Sequence, residues 1–415
     1  PILRHHFGLP TMEATIAGIE KIAEAGALDL ISLGTDQDAQ ENFFHPERQD
    51  PRRKGAGGVP VRTPDDFRAL YQASRRGNYP MLRAYSGTDD FIRYAEVLTG
   101  TIHNAWCAIP LYWFNQMDGR GPWDLEGSIR EHQQVMAWYG ERDIPVELNE
   151  PHHWGMRDAP DVVFVAAAFL SAYNARQHGV KDYIAQMMFN SPPGTSDAMD
   201  LAKMLAVMEM ITPLSLTLSP SPEGTGEVPS PSRGSGGDEG GFRIWKQTRI
   251  GLLSHPLDPS AARGHLAAST YLQMALKPDI YHIVGHTEAD HAATADDIIE
   301  AVKITRRAIN NALGAPDMTK APEVQERKGR LVSEARVLLD AIRDIAAPGV
   351  DDPWADAATL AKSVTLGLMD APQLRNNRFG RGQIRARIVN GACEAVDAEG
   401  GPIPEKIRIE QVRRN

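Results

Sequence analysis

PILRHHFGLPTMEATIAGIEKIAEAGALDLISLGT, residues 1–35, sets a strand, a helix and a second strand in one unit. The first strand is Ile2–His6, closed by a Gly-Leu-Pro turn. From about Thr11 to Gly26 the apolar residues Ile16, Ile19, Ile22 and Ala23 fall on one helical face. Leu28–Thr35 is apolar again and has the length of a buried strand. Working outward, the same alternation recurs at Pro80–Tyr85, Trp106–Leu111, Pro145–Glu150, Tyr183–Phe189, Arg249–His255 and Ile280–His286. Eight such runs separated by helical stretches imply parallel pairing, and they close most simply into an α/β fold of the (β/α)8 TIM-barrel type. Such barrels carry their chemistry at the carboxyl ends of the strands. Here those ends read Arg-His-His, Gly-Thr-Asp, Arg-Ala-Tyr, Asn-Glu-Pro, Ser-His and Gly-His.

The chain of 415 residues accommodates a barrel over residues 1–315 and an α+β extension over 316–415. Helical periodicity continues through Ala292–Leu313 and Glu323–Ile345, and the basic tail Gln373–Asn415, with RNNRFGRGQIRARI, carries short strand-like stretches. Gln37–Thr63 is a long polar connection of the kind that forms a functional lid, and regular structure resumes at Pro64–Tyr71. Pro213–Gly241 contains SPSPEGTGEVPSPSRGSGGDEGG, too poor in apolar residues to order itself; it reads as a disordered insertion at about 214–241, with an interdomain linker as the competing reading.

A net charge of −10, from 44 basic and 54 acidic residues, argues against a nucleic-acid-binding surface. Two distant cysteines, Cys107 and Cys393, exclude a disulfide framework and fit a reducing compartment. With no apolar run of membrane-spanning length and no signal peptide at the amino terminus, the expectation is a soluble cytoplasmic protein.

Several residues could carry chemistry. The histidines His5-His6, His152-His153 and His282, His286 and His291 suggest metal ligands, but neighbours on a strand point to opposite faces, so at most one of each adjacent pair reaches the barrel axis. Arg83, near the end of the third strand, can fork onto a carboxylate or phosphate, or else pair with Asp89 or Asp90. Glu150 ends the fifth strand, where a carboxylate can bind an ammonium or act as a base. Asn115 lies in the aromatic loop LYWFNQMDG, and Glu288 follows the eighth strand. Arg130, taken alone, reads as a solvated helix residue.

The order of these motifs resembles the large, barrel-forming subunit of adenosylcobalamin-dependent glutamate mutase (methylaspartate mutase). The similarity runs through HHFGLPTMEATIAGIEKIAEAGALDLISLGTD, GGVPVRTPDDF, LRAYSGTDD and VELNEP to ALKPDIYHIVGHTEA and VTLGLMDAPQLRNN. The resemblance implies a radical isomerase acting on a small carboxylate, an amino acid related to glutamate. By position, Arg83 and Arg130 are similar to the family's substrate arginines, and Glu150 to the catalytic-site glutamate that meets the substrate's amino group. Asn115 resembles the asparagine of the aromatic loop, shared by substrate and cofactor. Glu288 and His286 stand where the family meets the adenosyl ribose.

Departures accompany the likeness. NAWCAIPLYWFN lacks the family's further arginine, its lysine is replaced by Gly285 or His286, and the arginine beside its glutamate is Asn149. Each charged hydrogen bond contributes ~1.5–3 kcal/mol, so glutamate itself is disfavoured. The cobalt-ligating DxHxxG motif is missing from the sequence. The resemblance therefore implies that adenosylcobalamin is shared with a separate small cobalamin-binding subunit, and it allows a homodimer of the barrel. A metal-dependent barrel hydrolase or aldolase, and a non-catalytic relative kept as a binding partner, stand as alternatives.

Overall fold

The computed structural model describes residues 1–215 and 241–414. The strands are β1 (Ile2–Phe7), β2 (Leu30–Leu33), β3 (Met81–Ala84), β4 (Cys107–Ile109), β5 (Val146–Leu148), β6 (Asp182–Phe189), β7 (Arg243–Ile250) and β8 (Ile280–His282). All pair in parallel in the order β3-β2-β1-β8-β7-β6-β5-β4. The fold is a (β/α)8 barrel. At the β3–β4 seam the Ala105 N–H donates to Leu82 O at 3.0 Å and the Ser86 N–H to Ala108 O at 3.3 Å. Asn104 bridges the same seam, accepting from the Ala84 N–H at 3.0 Å and donating to Trp106 O at 3.0 Å.

The seventh strand departs from expectation. It spans Arg243–Ile250 rather than Arg249–His255, and Leu252–Ser254 forms a single 3-10 turn. The reason is local: the first half of RIWKQTRI is partly exposed, so it lacks the continuous apolar run by which a buried strand is recognised. Most of the suggested insertion at 214–241 lies outside the described residues.

Inward side chains alternate along the strands and stack in layers, four per layer from alternate strands. The floor is apolar: Leu30 on β2, Trp106 just before β4, Ile184 on β6 and Ile280 on β8 form one buried cluster. Outside the barrel, the helix Asp161–Gln177 is buried along nearly its whole length. It shares a core with the helix Pro322–Asp344, so the extension continues the barrel's packing. Beyond it lie the antiparallel hairpin β9 (Ala386–Val389) and β10 (Ala392–Ala395), and the helix Glu405–Arg414.

Asp161 fastens the extension to the barrel. Its carboxylate accepts from Arg327 at 2.9 Å, from the Cys393 N–H at 3.2 Å and from Lys203 at 3.2 Å, all buried. The Gln37–Thr63 connection is likewise pinned rather than loose. Asp36, fully buried, holds the Arg62 guanidinium at 2.6 and 2.8 Å and accepts from the Gly55 N–H at 2.9 Å. Both cysteines are buried and free. Among the described residues no helix is long and apolar enough to cross a membrane.

Candidate active site

Above the apolar floor the barrel turns polar. Arg4 on β1 donates to Glu147 on β5 at 2.7 Å and to Gln247 on β7 at 2.7 Å. Arg83 on β3 reaches the same Glu147 oxygen at 3.2 Å, and the Trp106 indole donates to it at 2.7 Å. Burial pushes the Glu147 carboxyl up, but Arg4, Arg83 and the Trp106 bond outweigh it and leave the pKa at about 2. Arg4 moves down to about 10, through burial and then its neighbour Arg83. This layer is a buried ionic cluster in which two guanidinium groups share one carboxylate.

By alternation, Ser32, Ala108, Gln186 and His282 form the next layer. The layer at the mouth is His6, Tyr85, Asn149 and Arg249, and all four line one cavity of about 220 Å³ with Gln40, Phe114, Arg120, His152 and His153. Barrel interiors are ordinarily filled by bulky branched side chains. Here Ser32 and Ala108 are small, and the other members are polar. Several buried atoms make no hydrogen bond to another protein group: Ser32 Oγ, Arg83 Nη1, Glu147 Oε1, Asn149 Oδ1, Gln186 Nε2 and His282 Nδ1. Native interiors leave few such groups unsatisfied, and ordered water or a polar ligand is what meets them.

The imidazoles of this chamber are held neutral. The His6 and His282 rings meet edge to face at 4.6 Å, and burial first, then Arg4, keeps both well below the ordinary histidine range. His152, bonded to Gln186 at 2.7 Å, is pushed down to about 3 by burial and then by Arg249. Among the described residues no three His, Cys, Asp or Glu side chains converge as metal ligands. His5 faces away from the axis, bonding its neighbour's carbonyl at 2.5 Å.

The residues singled out from the sequence are scattered. Arg83 lies inside the barrel, yet its partner is Glu147 rather than Asp89 or Asp90. Glu150 is buried at the start of a short helix, where it takes the Leu111 N–H at 2.6 Å, the Tyr112 N–H at 2.9 Å and the Trp154 indole at 2.7 Å. Those bonds tie the loop after β4 to β5, and burial still raises its pKa to about 7. Asn115 spends its amide within the same loop, donating to Tyr112 O at 2.9 Å and Ser128 Oγ at 2.7 Å and accepting from the Met117 N–H at 2.8 Å. Arg130 is exposed on the helix Leu125–Gly140 and pairs with Glu126 at 2.6 Å. His286 turns toward Glu300 at 3.5 Å. Glu288 stands at the rim with its side chain partly in solvent, its pKa raised by desolvation against the pull of Arg249. A side chain at Gly285 would meet His5 Nε2 at 2.8 Å.

Arg249 escaped the sequence reading. It is 4% exposed, lines the mouth cavity, and makes one long hydrogen bond, to Ile250 O at 3.4 Å. Among the described residues it forms no ion pair. Had the strand been read from Arg243, the alternation of Gln247 and Arg249 would have placed both inside the barrel.

No protein-family model matches this chain, and no curated protein does. Two solved structures of tryptophan synthase from Mycobacterium tuberculosis are similar at 14% identity, each covering 74% of this chain and 92% of the other. Their TM-scores are 0.38 and, for the open form with BRD0059 bound, 0.36.

Proposed function

We propose that this chain is the catalytic barrel of a carbon-skeleton mutase that rearranges a small carboxylate, with adenosylcobalamin held mainly by a separate small subunit. The observation that carries the reading is the polar interior: from the layer of Arg4 to the mouth, small or hydrogen-bonding side chains replace the usual apolar filling. A site of this kind lies within the barrel wall and is shielded from solvent, as radical chemistry requires. The colinear motifs supply the rest of the support.

Adenosylcobalamin, when bound, supplies the radical that abstracts a hydrogen from the substrate. Of the residues matched to its surroundings, Glu288 at the rim is free to meet it, whereas Asn115 and His286 are engaged elsewhere. The unbonded Asn149 Oδ1 offers a further acceptor at the mouth. The chain's own residues bind and enclose. The ionic cluster of Arg4, Arg83 and Glu147 forms a rigid platform, and the neutral imidazoles of His6, His152 and His282 offer hydrogen bonds without charge.

The test is reconstitution. The purified chain, mixed with a small DxHxxG protein and adenosylcobalamin, is expected to co-elute with it, carry a cobalamin absorption spectrum, and isomerise a member of a panel of small acids. Failure to form any cobalamin-bearing complex overturns the proposal, as does tight stoichiometric cobalamin binding by the isolated chain.

A further inference from the structure

We infer that Arg249 anchors a monoanion site at the barrel mouth whose ligand is a small monocarboxylate bearing a neutral polar group. The inference rests on the mutase reading only in taking this ligand to be the substrate.

The charge inventory of the cavity carries it. A buried cation without a partner is strongly unfavourable, and Arg249 is buried with no ion pair among the described residues. The other arginine that lines the cavity is already matched. Arg120 places two nitrogens on Asp118 at 2.9 and 2.7 Å and lies over the Phe114 ring at 4.2 Å. Arg4 and Arg83 share Glu147 two layers down, away from the cavity lining. Among the described residues lining the cavity Arg249 is thus the cation without an ion pair, and a guanidinium fork suits a carboxylate.

The same inventory bears on the ligand's far end. Recognition of an ammonium needs a carboxylate with lone pairs to spare. Glu150 has turned to backbone and indole donors, and Glu147, though its Oε1 is unbonded, sits two layers below and does not line the cavity. Glu288 stands at the exposed rim, near enough for its charge to act on Arg249 but forming no ion pair with it and not lining the cavity. What remains around the cavity is neutral: Asn149 with a free Oδ1, His152 bonded to Gln186, and His6. These suit a hydroxyl or an amide. The cavity's 220 Å³ limits the ligand to a handful of heavy atoms.

Isothermal titration of the full chain, free of cobalamin, with propionate, 3-hydroxypropionate, glutarate and glutamate tests the inference. Expected is one site per chain, tightest for 3-hydroxypropionate. Arg249→Met should weaken that acid by about tenfold or more, and Arg249→Lys should recover part of the loss. Arg249→Met should also melt no lower than the parent, because it removes an unpaired buried charge, so a binding loss cannot be laid to misfolding. Absence of binding by all four acids, equal affinity in Arg249→Met, or tighter binding of glutamate or glutarate overturns the inference. The two readings fail separately. Carboxylate binding without a cobalamin complex leaves this site standing and removes the mutase; a cobalamin complex on a chain that binds none of the acids does the reverse.

Discussion

Arg83 Nη2 lies 3.2 Å from Glu147 Oε2, and both side chains are wholly shielded from solvent. The arginine that resembles a substrate ligand thus has its anion supplied by the barrel itself. Glu147 receives Arg4 and the Trp106 indole at the same oxygen, so four side chains from β1, β3, β5 and the entrance to β4 meet at one atom. The arrangement fixes the platform on which the mouth is built and leaves the role of anion anchor to Arg249, two layers higher.

Glu147→Gln should therefore be among the most damaging single changes in the barrel. It leaves two buried guanidinium groups facing a neutral amide, and breaking a buried pair from one side costs about 3–5 kcal/mol. Arg83→Met leaves Glu147 with Arg4 and Trp106 and should cost less. Urea midpoints of the two variants check the order. A larger loss in Arg83→Met would mean that Arg83, not Glu147, holds the cluster together.

The eight-strand frame was legible because seven of the eight runs are short, apolar and spaced by helical periodicity. The eighth, β7, was displaced by six residues at its start because Arg243, Lys246 and Gln247 interrupt the apolar signal while the strand runs partly exposed. That shift hid Arg249. The ionic cluster was hidden for a different reason: Arg4, Glu147 and Gln247 lie in the middle of their strands, where charged residues are normally absent, and their pairing spans 143 and 243 positions of sequence. Glu150 looked like a site residue because it stands at a strand end. Only coordinates reveal that the loop after β4 folds its N–H groups onto it.

Arg130→Ala should be almost silent. The side chain is 54% exposed and its i,i+4 bond to Glu126 contributes at most about 0.5 kcal/mol. Stability should stay within that margin, and carboxylate affinity should not change. A tenfold fall in affinity would restore Arg130 to the substrate site that the resemblance assigns it.

Glu150 should make stability fall as pH rises. Its pKa goes up on folding, from an ordinary 4.5 to about 7, chiefly through burial. The native state then holds a proton that the unfolded chain has released. The group is neutral in its effect below the lower value, and its penalty grows between the two, with a slope of at most about 1.4 kcal/mol per pH unit. Glu150→Gln keeps an acceptor for the two backbone N–H groups but sets its NH2 against the Trp154 indole, a fixed loss. The stability of the variant relative to the parent should improve steadily between pH 4.5 and 7. A difference that is flat across that window would show that Glu150 is ionised throughout.

Asp161 tests whether barrel and extension fold as one body. Its carboxylate joins Lys203 on the helix after β6, Arg327 on the long extension helix and the backbone of β10, all in a dry interface. Arg327 retains Glu394 at 2.8 Å and Lys203 retains Asp200 at 2.9 Å, so Asp161→Ala weakens both cations without stranding either. The expected cost is about 3 kcal/mol, toward the lower end for a broken buried pair. Because the extension helix shares its apolar core with the helix Asp161–Gln177, the loss should lower one cooperative transition. Denaturation followed at once by near-ultraviolet circular dichroism and by limited proteolysis of the extension would check this. Release of the extension while the barrel stays folded would mean that Asp161, and not the shared core, joins the two.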